Sequence, residues 1–152
     1  MVTKLHMHPQ RKHEFPRLTA FNHWVKSPQS LLYNCFAWAL GDDTRRWIPD
    51  PFGQYYWPPK ARRNLSIDAF TEMLARFGFN PAASRALEKG VDKLALYALN
   101  ANATHLAKQL PKGKWTSKLG DAEDIEHTLD ALEGPTYGMV VQIYARPQPS
   151  KP

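Results

Sequence analysis

The chain has a single cysteine, Cys35, at a position where a thiol can become a nucleophile. Asn34 before it is a helix-capping residue type, and the segment after it is apolar and rich in helix formers. Backbone N–H groups and the helix dipole at a helix N-terminus stabilise a thiolate. We therefore predict that Cys35 is the nucleophile of a hydrolase or acyltransferase that acts on an amide bond. The alternative is a small buried hydrophobe, the usual role of a lone cysteine in an apolar helix.

A cysteine nucleophile needs a histidine that accepts and returns its proton, and that histidine is usually distant in sequence. His105 and His127 are the candidates after Cys35. His105 lies near the start of a predicted strand, a rigid element that can hold an imidazole against a helix end. His127 lies in a predicted helix among acidic residues. We predict His105 as the general base and leave the role of His127 open.

A third group should orient the imidazole, and the next strand supplies it. A three-residue loop between the two strands places Ser117 on the face of His105, whereas a two-residue loop places Thr116 there. Gln29, six residues before Cys35, can donate to an oxyanion together with the Cys35 backbone N–H. The predicted catalytic residues are therefore Cys35, His105, Gln29 and Ser117.

Hydrophobic spacing predicts the elements that hold these residues. A short buried helix begins near Asn34 and ends at Gly41, and an amphipathic helix follows Ser66. Strands are predicted at 93–99, 104–110, 114–119 and 137–144, and a further helix at 121–132. This order predicts an α+β domain in which the nucleophile helix packs on a small antiparallel sheet.

Residues 42–64, called the aromatic loop below, combine prolines, aromatic residues and cations. A loop of this length is commonly functional. We predict that Trp47, Tyr56 and Trp57 bind substrate beside the nucleophile helix, together with Asn34. Cations among stacking rings also suit nucleic acid, but acidic residues dilute the positive charge of this loop and disfavour that partner.

Length and composition indicate one folded domain of 152 residues with a net charge of +6. We divide the chain into an irregular arm (1–28), a single domain (29–147) and a Pro-rich tail (148–152). One cysteine excludes a multi-cysteine zinc site, and we predict neither a metal nor a cofactor. No apolar run approaches the roughly 18–20 residues of a membrane helix, so we predict no membrane partner and a cytoplasmic location, or export without a cleaved signal.

Two resemblances extend these predictions. The segment from Gln29 to Trp38 resembles papain-like and NlpC-like cysteine hydrolases, in which a glutamine precedes the nucleophile and a histidine strand follows the nucleophile helix. That resemblance implies a papain-like core, Cys35 as nucleophile, His105 as base and Gln29 as oxyanion donor. The chain also resembles a bacterial family of uncharacterised proteins with Asn-Cys-x-Ala-Trp-Ala-Leu and Trp-Thr-Ser-Lys-Leu-Gly segments, here 34–40 and 115–120.

The sequence therefore predicts a peptidase, amidase or deamidase with a peptide or protein substrate, and a role as a bacterial toxin or effector fits its small basic domain. A non-catalytic protein-binding module with a buried Cys35 is the alternative, and nucleic-acid binding through the aromatic loop is a third. The oligomeric state is left open.

Overall fold

The computed structural model describes residues 7–9, 11–27, 29–120 and 122–149. Seven strands in this part of the chain are β1 (His23–Ser27), β2 (Asn80–Ala82), β3 (Val91–Leu99), β4 (Asn102–Gln109), β5 (Trp115–Lys118), β6 (Asp124–His127) and β7 (Met139–Pro147). The helices are α1 (Arg11–Glu14), α2 (Cys35–Ala39) and α3 (Ile67–Ala75), and a 3-10 helix covers Leu129–Leu132.

All seven strands form one antiparallel sheet in the order β1-β6-β5-β4-β3-β7-β2. The predicted α+β class with a papain-like core is therefore wrong, because the described part of the chain is largely β-structure. Among the described helices, only α3 is longer than five residues. The helix that carries Cys35 packs on β4 and β5, but the sheet dominates the fold.

The largest local difference lies at 121–132, where the sequence predicts a helix. Residues 124–127 instead form β6, which pairs with both β5 and β1. The helix is predicted from the helical spacing of Ile125, Leu129 and Leu132. In the structure, Ile125 and His127 instead alternate as strand residues and point to one face of the sheet. Asp121 lies outside the described residues, so the start of the predicted helix is not placed.

The sheet separates two clusters of buried side chains. Along β3, Leu94 and Leu96 belong to one cluster, and Ala95 and Tyr97 belong to the other. Successive strand residues point to opposite faces, so the clusters cover opposite sides of the sheet. We call the side covered by α2, α3 and the aromatic loop the helix face. The side covered by the N-terminal segment and the 3-10 helix is the arm face.

Capping explains why α2 begins where the sequence predicts. The Asn34 side chain accepts from the backbone N–H of Ala37 (3.3 Å), and Gly41 follows the helix at φ +83°. The Trp38 indole N–H donates to the Thr116 hydroxyl (3.1 Å), which fixes α2 against β5. Cys35, the first residue of α2, is thereby held against the centre of the sheet.

The N-terminal segment is less irregular than the sequence predicts. Its residues 23–27 form β1 at one edge of the sheet, and Phe15 and Leu18 are buried on the arm face. The end of the predicted tail, 150–152, lies outside the described residues. In the part of the chain that the structure describes, no helix is both long and apolar enough to cross a bilayer.

Candidate active site

Cys35 is buried on the helix face, with only 5% of its surface exposed. Burial raises the pKa of its thiol to about 12, so the sulfur is protonated at neutral pH. The backbone N–H groups of Leu106, Phe36 and Cys35 itself contact the sulfur and oppose this increase. The sulfur therefore has donors in place for negative charge, although its resting form is the neutral thiol.

The thiol lies where β4 and β5 separate. These strands are paired only at Lys108–Thr116 and Gln109–Trp115. Leu106, two residues beyond the last pair, directs its N–H to the sulfur of Cys35. The sulfur of Cys35 therefore contacts β4 beyond the end of its pairing with β5.

A bulge in β4 lies directly before His105. Tyr97 pairs with His105 and Ala98 pairs with Ala103, which leaves Thr104 as an extra residue. The His105 ring lies on the arm face, 5.3 Å from the Tyr97 ring and stacked on the Tyr137 ring at 4.1 Å and 11°. The Thr104 hydroxyl donates to the Tyr137 carbonyl (2.6 Å), so the bulge also positions the stacking partner.

A buried chain of hydrogen bonds extends from His105 across two further strands. His105 Nε2 lies 2.8 Å from Ser117 Oγ, which lies 2.7 Å from His127 Nε2. His127 Nδ1 lies 2.7 Å from the carbonyl oxygen of Thr128. All three side chains are fully buried on the arm face. Ser117 is thus on the face of His105, as the three-residue loop at 111–113 requires.

Burial also determines the charge of both histidines. It lowers the pKa of His105 well below its usual value, and the nearby His127 adds to this effect. Burial likewise lowers the pKa of His127 to about 4. Both rings are therefore neutral at pH 7, and each carries one N–H.

The proton positions follow from the Thr128 carbonyl, where the chain of hydrogen bonds ends. The Thr128 carbonyl can only accept, so the single N–H of His127 is at Nδ1, and Nε2 of His127 accepts from the Ser117 hydroxyl. Ser117 has no second proton, so Nε2 of His105 donates to it. His105 Nδ1 is consequently a bare acceptor, and this buried atom has no hydrogen-bond partner.

The structure does not join Cys35 and His105 by a hydrogen bond. Cys35 packs in the cluster of the helix face, and the ring contacts of His105 are on the arm face. The two residues nevertheless meet at the same point of β4, because the N–H that contacts the sulfur belongs to Leu106, the residue after His105. They approach the space between β4 and β5 from opposite sides.

The other predicted site residues have different surroundings. Gln29 is exposed in the loop before α2. The Asn34 amide is occupied by the cap and by both backbone groups of Trp47, at 3.0 and 2.8 Å. Trp47 and Trp57 are buried in the core, and Tyr56 is half-buried with the Arg45 guanidinium 3.4 Å above its ring.

Carboxylates pair with several cations of the aromatic loop. Arg62 makes two hydrogen bonds to Glu72 at 2.8 and 2.9 Å, and Arg63 contacts Asp50 at 3.1 Å. Arg45 contacts Asp42 at 3.0 Å. These pairs neutralise charges that a phosphate backbone would need.

Sequence reasoning missed two parts of this region. The sequence predicts a helix at His127, although the two-residue spacing between Ile125 and His127 is the signal for a strand. Lys118 is buried near Cys35, and the buried Asp124 is its cross-strand partner. The segment 115–120 includes Lys118, but no pattern in the sequence indicates a role for either residue. Among the described residues, no group of three or more His, Cys, Asp or Glu side chains is placed to hold a metal ion.

The described part of the chain is thus rich in β-structure, with a cysteine at the start of a short helix and a buried histidine–serine–histidine chain. The chain belongs to the family described as "Domain of unknown function (DUF7689)", whose profile matches residues 24–145. No curated protein matches the chain, and no solved structure matches it.

Proposed function

We propose that this protein is a cysteine-dependent hydrolase or acyltransferase that acts on an amide bond, with Cys35 as nucleophile and His105 as general base. The observation that carries the proposal is the bare, buried and unpaired Nδ1 of His105. An unpaired acceptor in the protein interior is costly, so its retention favours a use for it. A thiol proton is the partner that this acceptor would take.

The resting protonation states suit a general-base mechanism. Burial keeps the thiol protonated and the imidazole neutral, so a proton can pass from sulfur to Nδ1 as the sulfur attacks. The chain through Ser117 and His127 fixes the tautomer that makes this transfer feasible. For the transfer, sulfur and Nδ1 must meet through the space between β4 and β5.

In the proposed reaction, the Cys35 sulfur attacks the amide carbonyl carbon and forms a tetrahedral intermediate. The backbone N–H groups at the sulfur lie near the developing oxyanion, and Gln29 is the proposed side-chain donor. Collapse of the intermediate breaks the C–N bond, and the leaving amine takes the proton from His105. Water, or an acceptor amine, then attacks the thioester while His105 again accepts a proton.

Turnover of a panel of peptide amides, peptidoglycan stem peptides and glutamine-containing peptides tests this proposal. We expect Cys35→Ala and His105→Gln to lower kcat by about 100-fold or more, because general-base catalysis typically contributes that much. His13→Gln is the matched control, since His13 is exposed on α1. Loss of hydrolysis in both site variants but not in the control supports the proposal. Equal turnover in all three variants, or none in the wild type, contradicts it.

The burial of Cys35 favours a second candidate, a non-catalytic binding module in which the thiol only fills the core. Because the chain has one cysteine, the mass of the intact protein reports alkylation of Cys35 alone. Iodoacetamide labelling only after denaturation would support the module, and labelling of the folded protein would support the hydrolase.

A further inference from the structure

A buried lysine near Cys35 has no part in the reaction described above. Lys118 is fully buried at the end of β5, and its Nζ donates to the carbonyl oxygens of Ser30 (2.8 Å) and Gly120 (2.9 Å). Its ammonium also lies 5.1 Å from the centre of the Tyr33 ring. A buried ammonium is costly unless it is paired and hydrogen-bonded, so these contacts constitute a specific site for one positive charge.

Asp124 completes this cluster from β6, where it is the cross-strand partner of Lys118. Its Oδ2 accepts from the hydroxyl groups of Ser27 and Tyr33, the latter at 3.4 Å. Together, Lys118 and Asp124 hold the segment between β1 and α2 at Ser27, Ser30 and Tyr33. This segment carries Gln29 and leads directly into Cys35.

Lys118 also acts on the charge of the thiol. Burial dominates the pKa of Cys35 and raises it, while the Lys118 ammonium lowers it. Burial lowers the pKa of Lys118 to about 8. The charged or titratable groups that face Lys118 are Asp124 of β6, Glu123 before β6, Cys35 of α2, Tyr33 before α2 and Arg46 of the aromatic loop.

We propose that Lys118 is a positioning residue of the Cys35 site, which fixes the loop before the nucleophile and supplies the positive charge that stabilises the thiolate. This inference rests on the proposed function for its consequence in catalysis. The electrostatic role itself concerns only the thiol and does not require turnover.

The pH dependence of Cys35 alkylation tests this role. The logarithm of the iodoacetamide rate should rise with pH, flatten near pH 8 where Lys118 loses its charge, and then rise again. Lys118→Arg keeps the charge at every pH used, so the flattening should disappear while the rate at pH 7 stays near that of the wild type. Lys118→Met should also remove the flattening and lower the rate at pH 7 by about tenfold, the effect of one pKa unit.

The matched control is Lys114→Met, because Lys114 is exposed and its change removes the same charge. We expect this variant to keep the wild-type profile. A wild-type profile in folded Lys118→Met would overturn the inference.

Asp124→Asn covers the case in which Lys118→Met does not fold. Without the carboxylate, the ammonium loses its nearest opposite charge, and the flattening should move about one pH unit lower. An unchanged position of the flattening in this variant would overturn the inference.

The two proposals fail separately. If His105→Gln keeps its amide turnover while the Lys118 variants change the alkylation profile, the proposed hydrolase mechanism is wrong. The role of Lys118 as the cation that acts on the thiol is then retained. Cys35-dependent turnover with unchanged kcat, KM and alkylation profile in Lys118→Met overturns the role of Lys118 alone.

Discussion

Replacement of Ser117 by alanine tests the hydrogen-bond chain that fixes the tautomer of His105. Ser117→Ala removes two buried hydrogen bonds, at 2.8 and 2.7 Å, and leaves one ring nitrogen of His105 and one of His127 without partners. A buried unsatisfied polar group costs about 1–3 kcal/mol, so the two groups together should lower the free energy of unfolding by about 2–6 kcal/mol.

Urea unfolding at pH 7 measures this loss, and Thr116→Val is the matched control. Thr116 is the adjacent residue on the opposite face, and its hydroxyl accepts one hydrogen bond from Trp38 at 3.1 Å. We expect its replacement to cost about 1 kcal/mol. The combined variant Ser117→Ala, His127→Phe should lose less than the sum of its parts, because both ends of one bond are then removed. A loss in Ser117→Ala no larger than that in Thr116→Val would refute the deduced chain.

Three further predictions concern stability. The pKa of His127 is about 4 in the folded protein and about 6.5 in the unfolded chain, so the unfolded chain binds more protons between these pH values. The free energy of unfolding should therefore fall by about 3 kcal/mol as the pH drops through this window. Urea midpoints at pH 7 and 4.5 measure this loss, and equal midpoints would contradict it. Asn34→Ala should lower the free energy of unfolding by about 2–3 kcal/mol in urea titrations, because the helix cap and both hydrogen bonds to Trp47 are lost. A loss below about 0.5 kcal/mol would exclude a stabilising role for the Asn34 side chain. Gly138→Ala should prevent stable folding, as measured by thermal melts, because φ is +76° and the new Cβ would overlap the Ala98 carbonyl. The control is Gly53→Ala, which also has a positive φ but has open space around it. We expect the control to melt at a clearly higher temperature.

The sequence predicts the local elements around Cys35 well because local signals determine them. Asn34 and Ser66 cap α2 and α3 as their residue types suggest, and the loop at 111–113 joins β4 to β5. The Leu110–Lys114 backbone hydrogen bond gives the register that places Ser117 on the face of His105.

The fold class and the relation of Cys35 to His105 depend on non-local pairing. The acidic residues of β6 are compatible with a helix, and only pairing with β5 and β1 makes that segment a strand. The bulge at Thr104 changes the alternation of β4, and no residue type in 102–106 indicates a bulge there. Spacing in the sequence therefore does not show that His105 and Cys35 lie on opposite faces of the sheet.

The ring nitrogens of His105 provide the most direct test of the central claim, that Nδ1 is a bare base held in one tautomer. Long-range proton–nitrogen correlation spectra, assigned with His105→Gln, distinguish protonated from unprotonated imidazole nitrogens. From about pH 5 to 8, we predict an unprotonated Nδ1 and a protonated Nε2, because burial keeps the pKa of this ring well below its ordinary value. A proton on Nδ1, or titration of both nitrogens near the ordinary histidine pKa, would contradict the account.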